Sequence, residues 1–167
     1  MDPRVKDFSD QFLAASHAVL EFVRLCPDVE WATLCSAENE TLAAVANHIA
    51  VAYALETDLI SAALSGGTPP EVYTHEGALD QFHAETSLRF AGLSQAETIE
   101  HLQENGENIY RYLCQLIDSQ LDHPVNAEMI QRWFGAPIPV EAVIQHLVIG
   151  HPLEHLRSMQ NALRGNA

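Results

Sequence analysis

Nine histidines in a chain of 167 residues are its most chemically promising feature, because a neutral imidazole is both the commonest metal ligand and an ordinary surface side chain. Helical phase separates them. His151 and His155 form a His-x-x-x-His pair, about 40° apart around a helix and one turn apart along it, so both rings can point at one ion. They continue the line Ile144, Val148, His151, His155, Met159, apolar on either side, which turns the pair toward a core. His48 sits among Ala44, Val45, Ile49, Ala52 and Tyr53 on the most apolar stretch of the chain. Three imidazoles thus have reason to meet in an apolar interior. Burying them unpaired costs about 1–3 kcal/mol each unless something satisfies their nitrogens, and a divalent cation would do so. Three histidines and a water make up an open catalytic zinc site, and the same donors suit nickel, copper or iron. The alternative is three separately buried rings, each with its own hydrogen-bond partner, and spacing alone leaves the two readings level.

The other histidines are expected elsewhere. His17 falls on the solvent side of its helix, His101 lies off the apolar stripe of its own, and His75, His83 and His123 fall in loops or a weak accessory helix, where surface positions are the usual fate. His146 precedes His155 by nine residues and is expected on the opposite face. No H-E-x-x-H is present, since Pro152, Leu153 and Glu154 separate the pair, and Glu154 is expected to point away from it. Glu56, two turns past His48 near the core face, is a candidate to orient a ligand or act as a base, against the commoner fate of a solvated carboxylate. Tyr53 and Trp133 are candidates to line a cavity, although packing is the commoner role of such residues.

Four long helical segments would have to position these groups. The first runs from about Asp2 or Pro3 to Cys26 on the stripe Phe8, Phe12, Ala15, Val19, Phe22, with Pro27 as the stop. The second begins near Asn39, a good N-cap residue, and ends at Gly66-Gly67 before Pro69-Pro70; its alanines allow neighbours to approach closely. A shorter amphipathic stretch covers Ala78 to Ala91. Ser94-Gln95-Ala96-Glu97 offers a capping box for the third long helix, whose stripe reaches Ile117 and contains Gly106, predicting a bend or close packing there. Asp122 to Pro139 reads as a loop with a short helical turn around Met129 to Phe134. The fourth helix starts at about Pro139 or Val140 and continues to Leu163. Pro152 lies inside it, removing a donor and clashing with the carbonyl of Val148. The helix is therefore expected to kink, or to divide at Gly150-His151 and restart with Pro152 in its first turn, and distortion there would swing His151 away from the shared direction. Strand content is expected to be near zero, and the fold class all-α.

Composition excludes several functions. Eight basic against 23 acidic side chains give 8 − 23 = −15, a field that repels phosphate backbones and anionic lipid heads, and the basic residues are scattered singly. Nucleic acid is not an expected partner. The first ten residues lack an apolar signal segment, and the longest wholly apolar run, Ile49 to Leu55, is too short to span a bilayer, so no membrane role and a cytoplasmic address are expected. The three cysteines, Cys26, Cys35 and Cys114, form no C-x-x-C pair and read as reduced, mostly core thiols. The length and the 47% hydrophobic content fit one globular domain over residues 1–167.

The order of these features resembles the DinB-like (DinB/YfiT) family of metalloenzymes. The residues that carry the resemblance are Trp31 in the first link, Thr41-Leu-Ala-Ala-Val-Ala-Asn-His48-Ile on the second helix, and His151-Pro-Leu-Glu-His155-Leu-Arg-Ser-Met on the last. It spans nearly the whole chain and implies an up-down-down-up four-helix bundle, here with a short accessory helix, often homodimeric. It also implies a zinc or nickel ion held by His48, His151 and His155 with water. Characterised relatives include thiol-dependent S-transferases and a mycothiol-dependent isomerase, so the resemblance implies a low-molecular-weight thiol cosubstrate and a small electrophilic substrate. The name of the family refers to DNA damage, yet the charge gives direct DNA contact no support. The competing readings are a non-catalytic bundle that binds metal or a partner, and a purely structural dimer.

Overall fold

Pro3 occupies the first turn of α1 (Pro3–Leu25), where its missing N–H is no loss, and Val5, Phe12, Val19 and Val23 make the buried stripe. The computed structural model describes residues 1–165. After Pro27 the chain turns at Trp31, whose indole N–H donates to the Leu93 carbonyl at 2.9 Å and ties this link to a distant one. A small antiparallel hairpin follows, β1 (Leu34–Cys35) paired with β2 (Glu40–Thr41). Asn39 lies in its turn with φ +57°, a left-handed conformation that asparagine tolerates better than most residues. The expected N-cap role of Asn39 therefore passes to Thr41, whose Oγ1 accepts from the Ala44 N–H at 3.2 Å and starts α2 (Leu42–Ser65). Gly66, at φ +70°, ends α2.

His75 caps α3 (Glu76–Phe90), its Nδ1 accepting from the Ala78 N–H. Ser94 and Glu97 form the capping box of α4 (Gln95–Leu113), with the Ser94 N–H donating to the Glu97 carboxylate at 2.9 Å. The helix stops at Leu113 rather than Ile117; Leu116 is still buried, in the turn that leads to α5 (Asp118–Leu121). The segment from Asp122 to Pro139 holds its expected helical turn as α6 (Glu128–Phe134), set between β3 (Pro124–Val125) and β4 (Ile138–Pro139), which were not expected and pair antiparallel. These two-residue strands are the only departure from an all-helical chain among the described residues.

The last helix runs through α7 (Val140–Val143), a π-helical segment (Ile144–Gly150) and α8 (His151–Arg164). The π segment is how the chain absorbs Pro152. The His151 N–H donates to the His146 carbonyl five residues back, and Pro152 then falls in the first turn of α8, where no donor is missed. A Cβ on Gly150 would lie 3.1 Å from the Gln145 carbonyl oxygen, a tight approach that favours a glycine in the widened turn. α2 packs on α4 and on the last helix, while α1 packs on α4 and the last helix from the other side. Gly106 marks close packing: its added Cβ would meet Ser16 Oγ at 3.2 Å and Tyr53 at 3.9 Å. Arg4 joins the start of α1 to Asp122, at 2.9 Å, and to Glu141 of α7. No helix among the described residues is long and apolar enough to cross a membrane, and all three cysteines are free.

Candidate metal centre

α2 carries His48 and α8 carries His151 and His155, and the packing of these helices brings the three rings together. His151 Nε2 stands 3.3 Å from His48 Nε2 and 2.7 Å from His155 Nε2, and the three donor atoms lie within 4.8 Å of one another. Pro152 does not swing His151 away, because the π segment takes up the distortion upstream and α8 restarts in regular geometry at the pair.

The far sides of two rings face carboxylates. Glu38 Oε1, from the β1–β2 turn, lies 3.1 Å from His155 Nδ1, although out of line with the N–H direction. Glu56 Oε1, on α2, lies 3.8 Å from His151 Nδ1, beyond hydrogen-bond length. Carboxylates behind the rings favour a proton on each Nδ1, which leaves the Nε2 lone pairs facing one another. Such an arrangement is repulsive by itself, and a shared cation removes the repulsion. The Nδ1 atoms of His151 and His155 are buried and make no hydrogen bond, Glu38 and Glu56 being their nearest carboxylates.

Burial, and then the neighbouring rings of His151, His155 and His83, hold the His48 imidazole well below its ordinary pKa of 6.5. Burial and His151 likewise lower His155, opposed by Glu38. These two rings are therefore neutral at neutral pH, the form that binds a metal. Burial raises the pKa of the Glu56 carboxyl, with His151 opposing.

A cavity of about 250 Å³ opens beside the group, with His48 and His151 in its wall. α2 supplies Ala52, Leu55 and Glu56, α3 supplies Leu79, Phe82 and His83, and Tyr73 and Trp133 close the far side. Trp133 and His83 are exposed and mark its mouth.

Of the residues singled out by sequence, Trp133 lines this cavity, while Tyr53 does not: it is fully buried with its ring edge-on to Phe12 at 5.2 Å. His17, His123, His146 and Glu154 are exposed, and His101 is occupied by Asn47 at 3.0 Å. His83, expected at the surface without a role, is exposed but packs edge-on against His48, ring centroids 5.3 Å apart. Glu38 had no signal in the sequence, since it reaches His155 only through the turn of a hairpin two residues wide.

No family model, curated protein or solved structure matches the chain. The fold and the site define a mostly helical protein with three histidines that could hold a metal ion.

Proposed function

We propose that this protein is a metal-dependent enzyme of the DinB/YfiT type, with α1, α2, α4 and the last helix as its four-helix bundle and α3 as the accessory helix. The observation that carries the reading is the meeting of three Nε2 atoms, from helices 103 residues apart in sequence at His48 and His151. His48, His151 and His155 would hold zinc or nickel, which would supply the Lewis acidity that lowers the pKa of a thiol or water. The chain's own residues then do the remaining work. Glu38 stands behind His155 and Glu56 more distantly behind His151, and their negative charge would favour the tautomer in which each ring presents Nε2. The apolar walls exclude water from the reacting groups.

For a thiol transferase, the thiol proton leaves to solvent at the mouth beside His83. The sulfur electron pair forms the new bond to the electrophilic carbon, and the leaving group departs with its own pair. The cavity beside His48 and His151 favours this reading over a non-catalytic metal binder, which has no need of a chamber for a second molecule.

Elemental analysis of protein purified without added metal is expected to give about one ion per chain, and His48→Ala to lose it. Conjugation of mycothiol, bacillithiol or glutathione to a small electrophile is expected to stop on chelation. Full metal retention by His48→Ala contradicts the site; a rate indifferent to chelator contradicts the enzyme.

A further inference from the structure

Two residues lining the cavity beside the histidines carry a buried polar atom without a partner, His151 at Nδ1 and Glu56 at Oε2, and of the two Glu56 is the one not needed to hold an ion. Glu56 is 1% exposed and is the only carboxylate among the residues lining it; no lysine or arginine lines it at all. Its Oε1 looks toward His151 Nδ1 from 3.8 Å, too far for a hydrogen bond, and its Oε2 has no partner. A buried acceptor left unmatched is costly, and the exceptions in folded proteins call for a reason. Apart from its histidines and Tyr73, the rest of the wall is apolar, including Leu55, Leu79, Phe82 and Leu147, with the Trp133 ring beside them. At about 250 Å³, the chamber falls below the roughly 300–1,000 Å³ of sites that take drug-sized ligands. An acidic side chain on the wall, with no lysine or arginine beside it, also offers an anionic ligand nothing to pair with.

We propose that this cavity takes a compact, mainly apolar molecule bearing one hydroxyl or amine, which donates its hydrogen to Glu56 Oε2. The apolar body then lies against Leu79, Phe82 and Trp133, and the end remote from Glu56 is presented to the face formed by His48 and His151. This names the substrate class of the proposed enzyme and rests on that reading for the reacting end. Recognition by Glu56 itself needs no ion, so it is testable separately.

The probes are benzyl alcohol, benzylamine and toluene, which share a ring and differ in the donor. Binding is followed by ligand-observed NMR and by tryptophan fluorescence, to which Trp133 in the cavity wall contributes beside Trp31, on both zinc-loaded and chelator-treated protein. In both states the alcohol and the amine are expected to bind about tenfold more tightly than toluene, the order of one net hydrogen bond. Glu56→Leu is expected to bring both donors to the level of toluene without weakening toluene. Glu56→Gln keeps the side-chain shape and an acceptor oxygen, so it should retain the alcohol and lose the amine at least about tenfold; it carries the test if the leucine variant does not fold. Equal binding of all three probes, binding of none, or a donor preference that survives in Glu56→Leu overturns the proposal. If wild-type protein takes up no metal while the Glu56-dependent preference persists, the functional reading fails and this one stands. Metal uptake with no donor preference leaves the metal site in place and overturns the role of Glu56.

Discussion

Replacing Glu38 by alanine removes a group that touches no metal in the proposed site, and its effect is therefore a sharp test of how the site is built. Glu38 Oε1 lies 3.1 Å from His155 Nδ1, and its side chain is 24% exposed. Carboxylates behind ligating histidines typically account for 10–100-fold in metal affinity, and partial exposure screens this one toward the low end. The expected loss is about tenfold, about 1.4 kcal/mol in binding free energy. Glu38→Gln keeps an oxygen facing the ring and should fall short of wild type by only about threefold, because the amide still accepts but carries no charge. Competition for zinc with a chromogenic chelator at about pH 7 measures both constants. Affinity within about twofold of wild type for Glu38→Ala, alongside abolition by His155→Ala, would refute the role given to Glu38.

Glu56 predicts a pH effect on stability. Burial raises its folded pKa above the ordinary 4.5, so the stability it contributes is fully present below that value and is lost as pH rises through the folded value. Metal-free Glu56→Gln should therefore melt above wild type at about pH 8 and close to it at about pH 5; an equal offset at both would contradict this. Gly150→Ala places a Cβ 3.1 Å from the Gln145 carbonyl oxygen, and is expected to cost about 1–3 kcal/mol and lower the melting temperature by several degrees. Because the widened turn immediately precedes His151, the same variant should bind zinc more weakly. An unchanged melting curve and zinc affinity would mean that Pro152 is absorbed in some other way.

The long helices were legible because their signals are local: a stripe at spacings of three and four, Pro27 as a stop, Ser94 and Glu97 as a reciprocal cap. The approach of His48 to the His151 and His155 pair was legible for a related reason, since apolar neighbours on both helices turn all three inward. Gly106 announced close packing, and the contact with Ser16 is where it falls. What the sequence hid depends on tertiary context. Asn39 and Thr41 are both good cap residues, and only the left-handed turn at Asn39, demanded by the hairpin, leaves the cap to Thr41. Apolar periodicity continues through Leu116 after α4 has ended, because a buried residue in a turn looks the same as one in a helix. The extra residue of the π segment has no period of its own, and Glu38 meets His155 across more than a hundred residues.

Three imidazoles sharing one ion is the premise on which the proposed chemistry depends, and X-ray absorption on zinc-reconstituted protein probes it at the atoms concerned. One zinc per chain is expected, with three imidazole nitrogens at about 2.0–2.1 Å and the loss of one imidazole shell in His48→Ala. Uptake well below one ion per chain, or a spectrum unchanged by His48→Ala, would show that the three rings do not bind it jointly.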